Sequence, residues 1–222
     1  MGAKTWMIAY CDGDPAAILR GKPALDREAG AAALAQLFPE DRFIEGPDGN
    51  LGHTNPADDR AYVAVFPGLT IVADGQLGID YPSMLDQRFI DFAQGRGIYL
   101  HCMHSVVDWF AFAIWKNGQL VRAMSVSPDS GIMEDIGDKL AWEAPFWAGE
   151  RPAVDPADME EGEEPYPLPF HPLEMAEVAL KNMYGYVLEG ELEPGLVEPE
   201  DIPLMRFTRD KAPRKAAWWK FW

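Results

Sequence analysis

The sequence predicts an α+β protein, a single domain with a mostly antiparallel central sheet covered by helices. Three observations support this prediction. Residues 97–131 hold the densest block of bulky, strand-forming residues in the chain. Within this block Asn117-Gly118 separates two apolar runs, and an Asn-Gly pair supplies the positive φ angles of a type I′ hairpin turn. Helical segments with capping residues precede and follow the block.

The centre of the predicted sheet is a β-meander over about residues 98–126, built from strands 98–104, 109–115 and 119–126. A two-residue turn pairs Trp115 with Leu120 and Ala113 with Arg122. Strict alternation then puts one set of side chains on each face. One face carries Phe110, Phe112, Ile114, Val121 and Ala123, and the other carries Trp109, Ala111, Ala113, Trp115, Leu120, Arg122, Met124 and Val126. Strands that are apolar on both faces are typical of a sheet covered on both sides.

Before the meander, residues 4–10 predict a first strand that runs into Asp12-Gly13-Asp14. Asp14 is the expected N-cap of a short helix that begins at Pro15, and Asp26 caps a longer helix. Residues 61–74 predict a hairpin around Pro67-Gly68. The stretch from Pro82 to Gly95 predicts a helix, and residues 45–59 predict a loop.

After the meander the periodicity weakens, so residues 131–152 are predicted to form a loop held by aromatic side chains. Residues 153–165 are predicted to be an acidic, flexible loop. A helix is expected from Pro172, with His171 at its start. The predicted domain covers residues 1–204, and residues 205–222 form a basic, aromatic C-terminal tail that ends in WWKFW. The tail is expected to dock on its own domain, on a second copy or on a partner protein, because large aromatic side chains are costly to leave in water.

Composition restricts the classes of function. The chain has 222 residues and a formal net charge of −17, which argues against binding nucleic-acid phosphates. No apolar run approaches the ~20 residues of a membrane-spanning helix. The N-terminus does not resemble a signal peptide, so a soluble, cytoplasmic protein is expected. The two cysteines, Cys11 and Cys102, are expected to be buried free thiols.

Several blocks of the chain resemble a known family. They are MGAKTWMIAYCDGDPAAILR, HSVVDWFAFAIWKNGQLVRAMSVSPDSGIMEDIGD, YPLPFHPLEMAEVAL and YGYVLEG, and they span roughly residues 1–190. Together they resemble an uncharacterised family of actinobacterial proteins, described only as a domain of unknown function. The resemblance implies one domain and a bacterial cytoplasmic protein. It implies no activity, cofactor or catalytic residue.

Strand directions suggest where chemistry could occur. In an up-down-up meander the C-terminal ends of the first and third strands meet at one edge of the sheet. If the N-terminal strand runs parallel to them, its end reaches the same edge. The predicted rim then contains Asp12, Asp14, His104, Ser105, Asp108, Asp129 and Ser130. Carboxylates with a histidine can hold Mg²⁺ or Mn²⁺, with Asp12 and Asp14 as metal ligands, or perform acid–base catalysis.

Other interpretations of these residues stay open. Asp, Ser, Pro and Gly are also the ordinary residues of turns and helix caps. A strand followed by DGDP resembles the first motif of haloacid-dehalogenase-type phosphotransferases, in which Asp12 would be the nucleophile and Asp14 the acid–base group. Pro15 and Ala16 depart from that motif. Arg122 could bind an anionic ligand, pair with a buried carboxylate or stack on Trp115.

Two functions follow from this sequence. The first is a binding or interaction module. The alternative is a metal-dependent hydrolase or phosphotransferase that acts on a phosphorylated or nucleotide-like small molecule through the Asp/His/Ser rim. The motifs GxSxG, GxGxxG, HExxH and the Walker A sequence do not occur in the chain.

Overall fold

The structure, a computed structural model, describes residues 2–154, 166–190 and 193–210. Their strands are numbered β1–β10 in chain order, with the bounds given in the next paragraphs. They form one antiparallel sheet in the order β2-β10-β4-β5-β1-β6-β7-β8-β9, with β3 also paired to β10. The predicted α+β class, with an antiparallel sheet and a central meander, is confirmed. Most of the predicted acidic loop (residues 155–165) and the end of the predicted tail (residues 211–222) lie outside the described residues.

The first half of the chain follows its local signals. Strand β1 spans Lys4–Cys11, helix α1 Pro15–Arg20 and helix α2 Arg27–Leu37. The predicted loop contains two short strands, β2 (Phe43–Glu45) and β3 (Gly49–Asn50). Strands β4 (Arg60–Phe66) and β5 (Leu69–Asp74) form the predicted hairpin. The helix predicted from Pro82 is divided into a 3₁₀ turn, Pro82–Met84, and helix α3, Gln87–Phe92.

The meander consists of β6 (Gly97–His104), β7 (Trp109–Lys116) and β8 (Gln119–Ser127). Asn117 and Gly118 both have positive φ, at 51° and 74°, as the predicted turn requires. The register beyond Trp115 and Leu120 differs from the prediction because a β-bulge interrupts the ladder. Ile114 pairs with Arg122, and Ala113 with Ala123, so Val121 is the extra residue.

The bulge exchanges the faces of β8, and the predicted face assignment beyond it is therefore wrong. Arg122, Met124 and Val126 lie on the same side as Phe112, whereas Ala123 moves to the opposite side. Val121, predicted to be in the core, is 43% exposed. One inserted residue reverses alternation for the rest of a strand, and the sequence carries no signal for it.

The second half contains two strands that the sequence did not predict. Strand β9 spans Gly131–Ile136 within the predicted loop, and β10 spans Pro203–Arg209 between β2 and β4. Residues 205–209, which were assigned to the tail, therefore belong to the sheet. Helix α4 spans Ala144–Trp147, and helix α5 spans Pro172–Tyr184. His171 caps α5 by accepting a hydrogen bond from the Leu173 amide, and Gly185 ends the helix with φ +79°.

Helices cover both faces of the sheet, as the apolar strands predicted. On the first face, called here the α5 face, α1, α4 and α5 contribute to one core cluster with the phenylalanines of β7. On the opposite face, the α2 face, α2 and α3 pack with the alternate residues of the same strands. Burial on both sides explains why β7 is apolar from Trp109 to Trp115.

Candidate functional site

The direction of β1 divides the predicted rim into two groups. Strand β1 is antiparallel to β6, with Lys4 opposite His104 and Cys11 opposite Gly97. Asp12 and Asp14 therefore lie at the sheet edge that holds the Asn117-Gly118 turn. The prediction that they share an edge with His104 is wrong, because it required a parallel first strand.

The other predicted residues lie at the opposite edge, and three of them line one cavity. His104, Asp129 and Ser130 surround an open cavity of about 350 Å³. This confirms the inference that the ends of β6 and β8 meet. The remaining lining residues were not predicted as site residues: Trp6, Gly78, Asp80, Val107, Trp109, Ser127 and Met133.

Alternation along three adjacent strands, β1, β6 and β7, builds the floor of this cavity. His104 lies opposite Trp109 in the β6–β7 ladder, and Trp6 is a diagonal neighbour from β1. The Trp6 ring centroid lies 5.7 Å from that of His104 and 5.7 Å from that of Trp109. Trp109 is nearly buried, and its indole nitrogen donates to the Ser125 hydroxyl at 3.2 Å. The floor is thus a fixed aromatic row that we call the indole pocket.

A loop closes one side of the indole pocket. This loop, residues 77–80, is held to β6 by the Cys102 thiol, which donates to the Leu77 carbonyl at 3.1 Å. A Cβ atom on Gly78 would lie 3.0 Å from the Trp6 ring, so the absence of a side chain lets the loop approach the indole closely. The next loop residue in the lining is Asp80, which is exposed. The β8–β9 turn also lines the pocket, and there the Ser130 amide donates to the Ser127 hydroxyl at 3.1 Å.

The indole pocket is acidic and holds a neutral histidine. Asp80 and Asp129 contribute carboxylates, and none of the lining residues within 2–154, 166–190 and 193–210 is a lysine or an arginine. Burial lowers the pKa of His104, and the charge of nearby Lys4 lowers it further. The imidazole is therefore uncharged at neutral pH.

Ser105 and Asp108 belong to the same edge but not to the cavity lining. Ser105 lies in the turn after β6, and its amide donates to the carbonyl of Ala3, the residue before β1, at 3.1 Å. Asp108 has φ +45°, and its carboxylate lies 3.7 Å from the imidazole Nε2 of His171. His171 also stacks on Tyr166, with ring centroids 5.5 Å apart. Asp108 thus connects the β6–β7 turn to the start of α5.

At the opposite edge the DGDP segment acts as a helix cap. The Asp14 carboxylate accepts a hydrogen bond from the Ala16 amide at 2.9 Å, and Pro15 is the first residue of α1. Cys11 is almost fully buried, and burial raises the pKa of its thiol. The contacts of Asp14 support its capping interpretation, and the raised pKa of Cys11 disfavours the reactive thiolate.

We expect Asp14→Ala to lower the free energy of unfolding by about 1 kcal/mol, because it removes the N-cap of α1. Asp12→Ala is the matched control: Asp12 is exposed, and its substitution should change stability by less than about 0.5 kcal/mol. Urea denaturation of both variants measures the difference. Equal losses in the two variants would contradict the assigned capping role.

Arg122 is part of a buried ion-pair network. Its guanidinium donates to both carboxylate oxygens of Glu143 at 2.9 and 2.6 Å and to Asp135 at 2.6 Å. It also donates to the carbonyls of Ala123 and Ile136. Arg122 and Glu143 are 1% and 0% exposed, so the pairing with a buried carboxylate is the interpretation that these contacts support. The guanidinium lies over Phe112 rather than Trp115.

The predicted Mg²⁺ or Mn²⁺ site does not fit this arrangement. Its two proposed ligands, Asp12 and Asp14, lie at one edge and the histidine lies at the other. Within residues 2–154, 166–190 and 193–210, no group of three or more His, Cys, Asp or Glu side chains could hold a metal ion.

The fold and the indole pocket define an α+β protein with a two-sided antiparallel sheet and an acidic, aromatic cavity at one sheet edge. The chain matches the family of unknown function DUF6928 over residues 5–207, and it belongs to that family. No curated protein and no solved structure matches it. In the part of the chain that the structure describes, no helix is both long and apolar enough to cross a bilayer.

Proposed function

We propose that this protein is a binding module that takes a small organic molecule into the indole pocket. The observation that supports this most directly is the row of Trp6, His104 and Trp109 at the floor of a cavity of about 350 Å³. Concave sites with aromatic walls and a few convergent polar groups are the usual form of small-molecule sites, whose volumes begin near ~300 Å³.

Side chains at the mouth add to this proposal. Val107 is 49% exposed and lines the cavity, and Val106 beside it is 73% exposed. Valine is a poor turn residue, so the requirements of the β6–β7 turn do not explain why Val106 and Val107 occur there. A ligand that covers Val107 would remove this apolar surface from water.

The hydrolase alternative gains no support from the indole pocket. Phosphate groups are bound by arginine, lysine, metal ions or helix N-termini. Among the described residues, the lining has two aspartates, one uncharged histidine and no lysine or arginine. An anionic substrate would meet repulsion there.

Screening a panel of small cations, anions and neutral compounds by thermal shift and tryptophan fluorescence tests the proposed function. We expect at least one compound to raise the Tm of the native protein and to lose that effect in Trp6→Leu, which removes half of the indole pair. Trp147→Leu is the matched control, because Trp147 is also half-buried but packs on Phe170 on the α5 face. A panel without a single stabilising compound, or one that stabilises both variants equally, would contradict the proposal.

A further inference from the structure

The charge and the aromatic character of the indole pocket together restrict its ligand to one chemical class. We propose that the ligand carries a methylated ammonium group, which packs against the indoles of Trp6 and Trp109. This inference rests on the proposed function and specifies the ligand for the same pocket.

Both indoles line the cavity, Trp6 as a half-buried side chain and Trp109 as a nearly buried one at the floor. Trp is the aromatic side chain that attracts cations most strongly, and aromatic cages are the usual way in which proteins recognise methylated ammonium groups. The two ring planes are inclined by 45° at a centroid separation of 5.7 Å, so they form two sides of a corner rather than one flat stack. A compact, roughly spherical group fits into such a corner better than a flat ring does.

The charges around the corner favour a cation. Asp80 and Asp129 are exposed residues that line the cavity. Lys4 lies opposite His104 in the β1–β6 ladder, and it does not line the cavity. The chain as a whole carries a formal net charge of −17, which adds a long-range attraction for cations.

The apolar walls favour a methylated ammonium over a primary one. Val107 and Met133 line the cavity beside the indoles. A primary ammonium would lose part of its water shell against these side chains, which offer no strong hydrogen-bond acceptor to replace it. The methyl groups of a methylated ammonium would bury apolar surface against Val107 and Met133. Its positive charge would interact with the indole rings and the two carboxylates.

Titration of the full chain with choline and with its neutral carbon analogue, in which a tert-butyl group replaces the trimethylammonium group, tests the inference. The two probes have the same shape and differ in charge. We expect choline to bind about tenfold more tightly, which corresponds to one cation–π contact of moderate strength. The double variant Asp80→Asn/Asp129→Asn should weaken choline binding several-fold and leave the neutral analogue unaffected. Asp12→Asn/Asp138→Asn, which neutralises two exposed carboxylates outside the pocket, is the matched control.

The outcomes separate this inference from the proposed function. Equal binding of the two probes would overturn the cation preference while leaving a small-molecule pocket in place. Failure of choline to bind, with binding of another compound that depends on Trp6, would also overturn it. Co-sedimentation with phosphatidylcholine vesicles, tested beside free choline, distinguishes a lipid headgroup from a free molecule as the source of the same chemical group. Binding of neither choline nor vesicles overturns the inference.

Discussion

Replacing Arg122 with methionine should lower the free energy of unfolding by about 3–5 kcal/mol, measured by urea denaturation. Glu143 is fully buried, and in this variant its carboxylate loses both hydrogen bonds from the guanidinium. Among the residues that the structure describes, the remaining donors to Glu143 are the Leu140 amide at 2.8 Å and the more distant Trp147 indole at 3.4 Å. They do not compensate for an unpaired buried charge.

A double variant, Arg122→Met/Glu143→Leu, should recover most of this loss, because apolar residues of similar size often replace a buried ion pair at little cost. Arg27 provides a surface control, since it pairs with Glu45 and Asp48 at 49% exposure. Arg27→Met should have a far smaller effect, because exposed ion pairs contribute little. Comparable losses in Arg122→Met and Arg27→Met would show that the Arg122 network does not stabilise the fold in this way.

The native protein should lose stability in acid through His101. Its imidazole is fully buried, lies 2.7 Å from the Thr5 hydroxyl through Nδ1 and lies 2.9 Å from the Ala176 carbonyl through Nε2. Burial lowers its pKa to about 4, against an ordinary value of 6.5, although the hydrogen bond to Ala176 raises it. Unfolded chains therefore bind a proton that the folded protein excludes. The stabilisation is complete above pH 6.5 and is lost as the pH falls towards 4, a total of about 3 kcal/mol.

Glu177 acts in the opposite direction, so the His101 contribution must be measured as a difference. Burial raises the pKa of Glu177 to about 6, which favours the folded state as the pH falls from 6. In His101→Gln the side chain stays polar but does not titrate. We expect this variant to be less stable at pH 8. We also expect its free energy of unfolding to fall by about 3 kcal/mol less than that of the native protein between pH 6.5 and pH 4. His53→Gln is the control, because His53 is exposed. If His101→Gln lost as much free energy of unfolding between pH 6.5 and pH 4 as the native protein does, the lowered pKa of His101 would be contradicted.

Much of the fold could be predicted because local signals agreed with the final packing. Asn117-Gly118 specified its hairpin, Asp14 and Asp26 specified their caps, and the two-sided apolar strands specified cover on both faces. The rest depended on contacts between distant segments. Strand β10 lies between β2 and β4, and its charged end is held by Arg209, which donates to Asp41 and Asp74. No local pattern encodes that pairing.

The candidate site was predicted in part, and the reasons differ from residue to residue. His104 and Asp129 were found because strand direction places the ends of β6 and β8 together. Asp12 was misplaced because a single sequence does not show whether β1 runs parallel or antiparallel to β6. Trp6 and Trp109 were missed because both were assigned to strands and treated only as packing residues. Their common face with His104 follows from alternation once the register is known.

The indole NMR signals of the native protein provide the most direct test of binding in the indole pocket. The side-chain N–H resonances of Trp6 and Trp109, assigned with single Trp→Phe variants, are recorded during titration with a compound that raises the Tm. We expect both resonances to shift in a saturable way, while those of Trp142 and Trp147, which contact Phe112 and Phe170 on the α5 face, stay unchanged. Shifts confined to Trp142 and Trp147, or no shift at saturating ligand, would contradict the assignment of the indole pocket as the binding site.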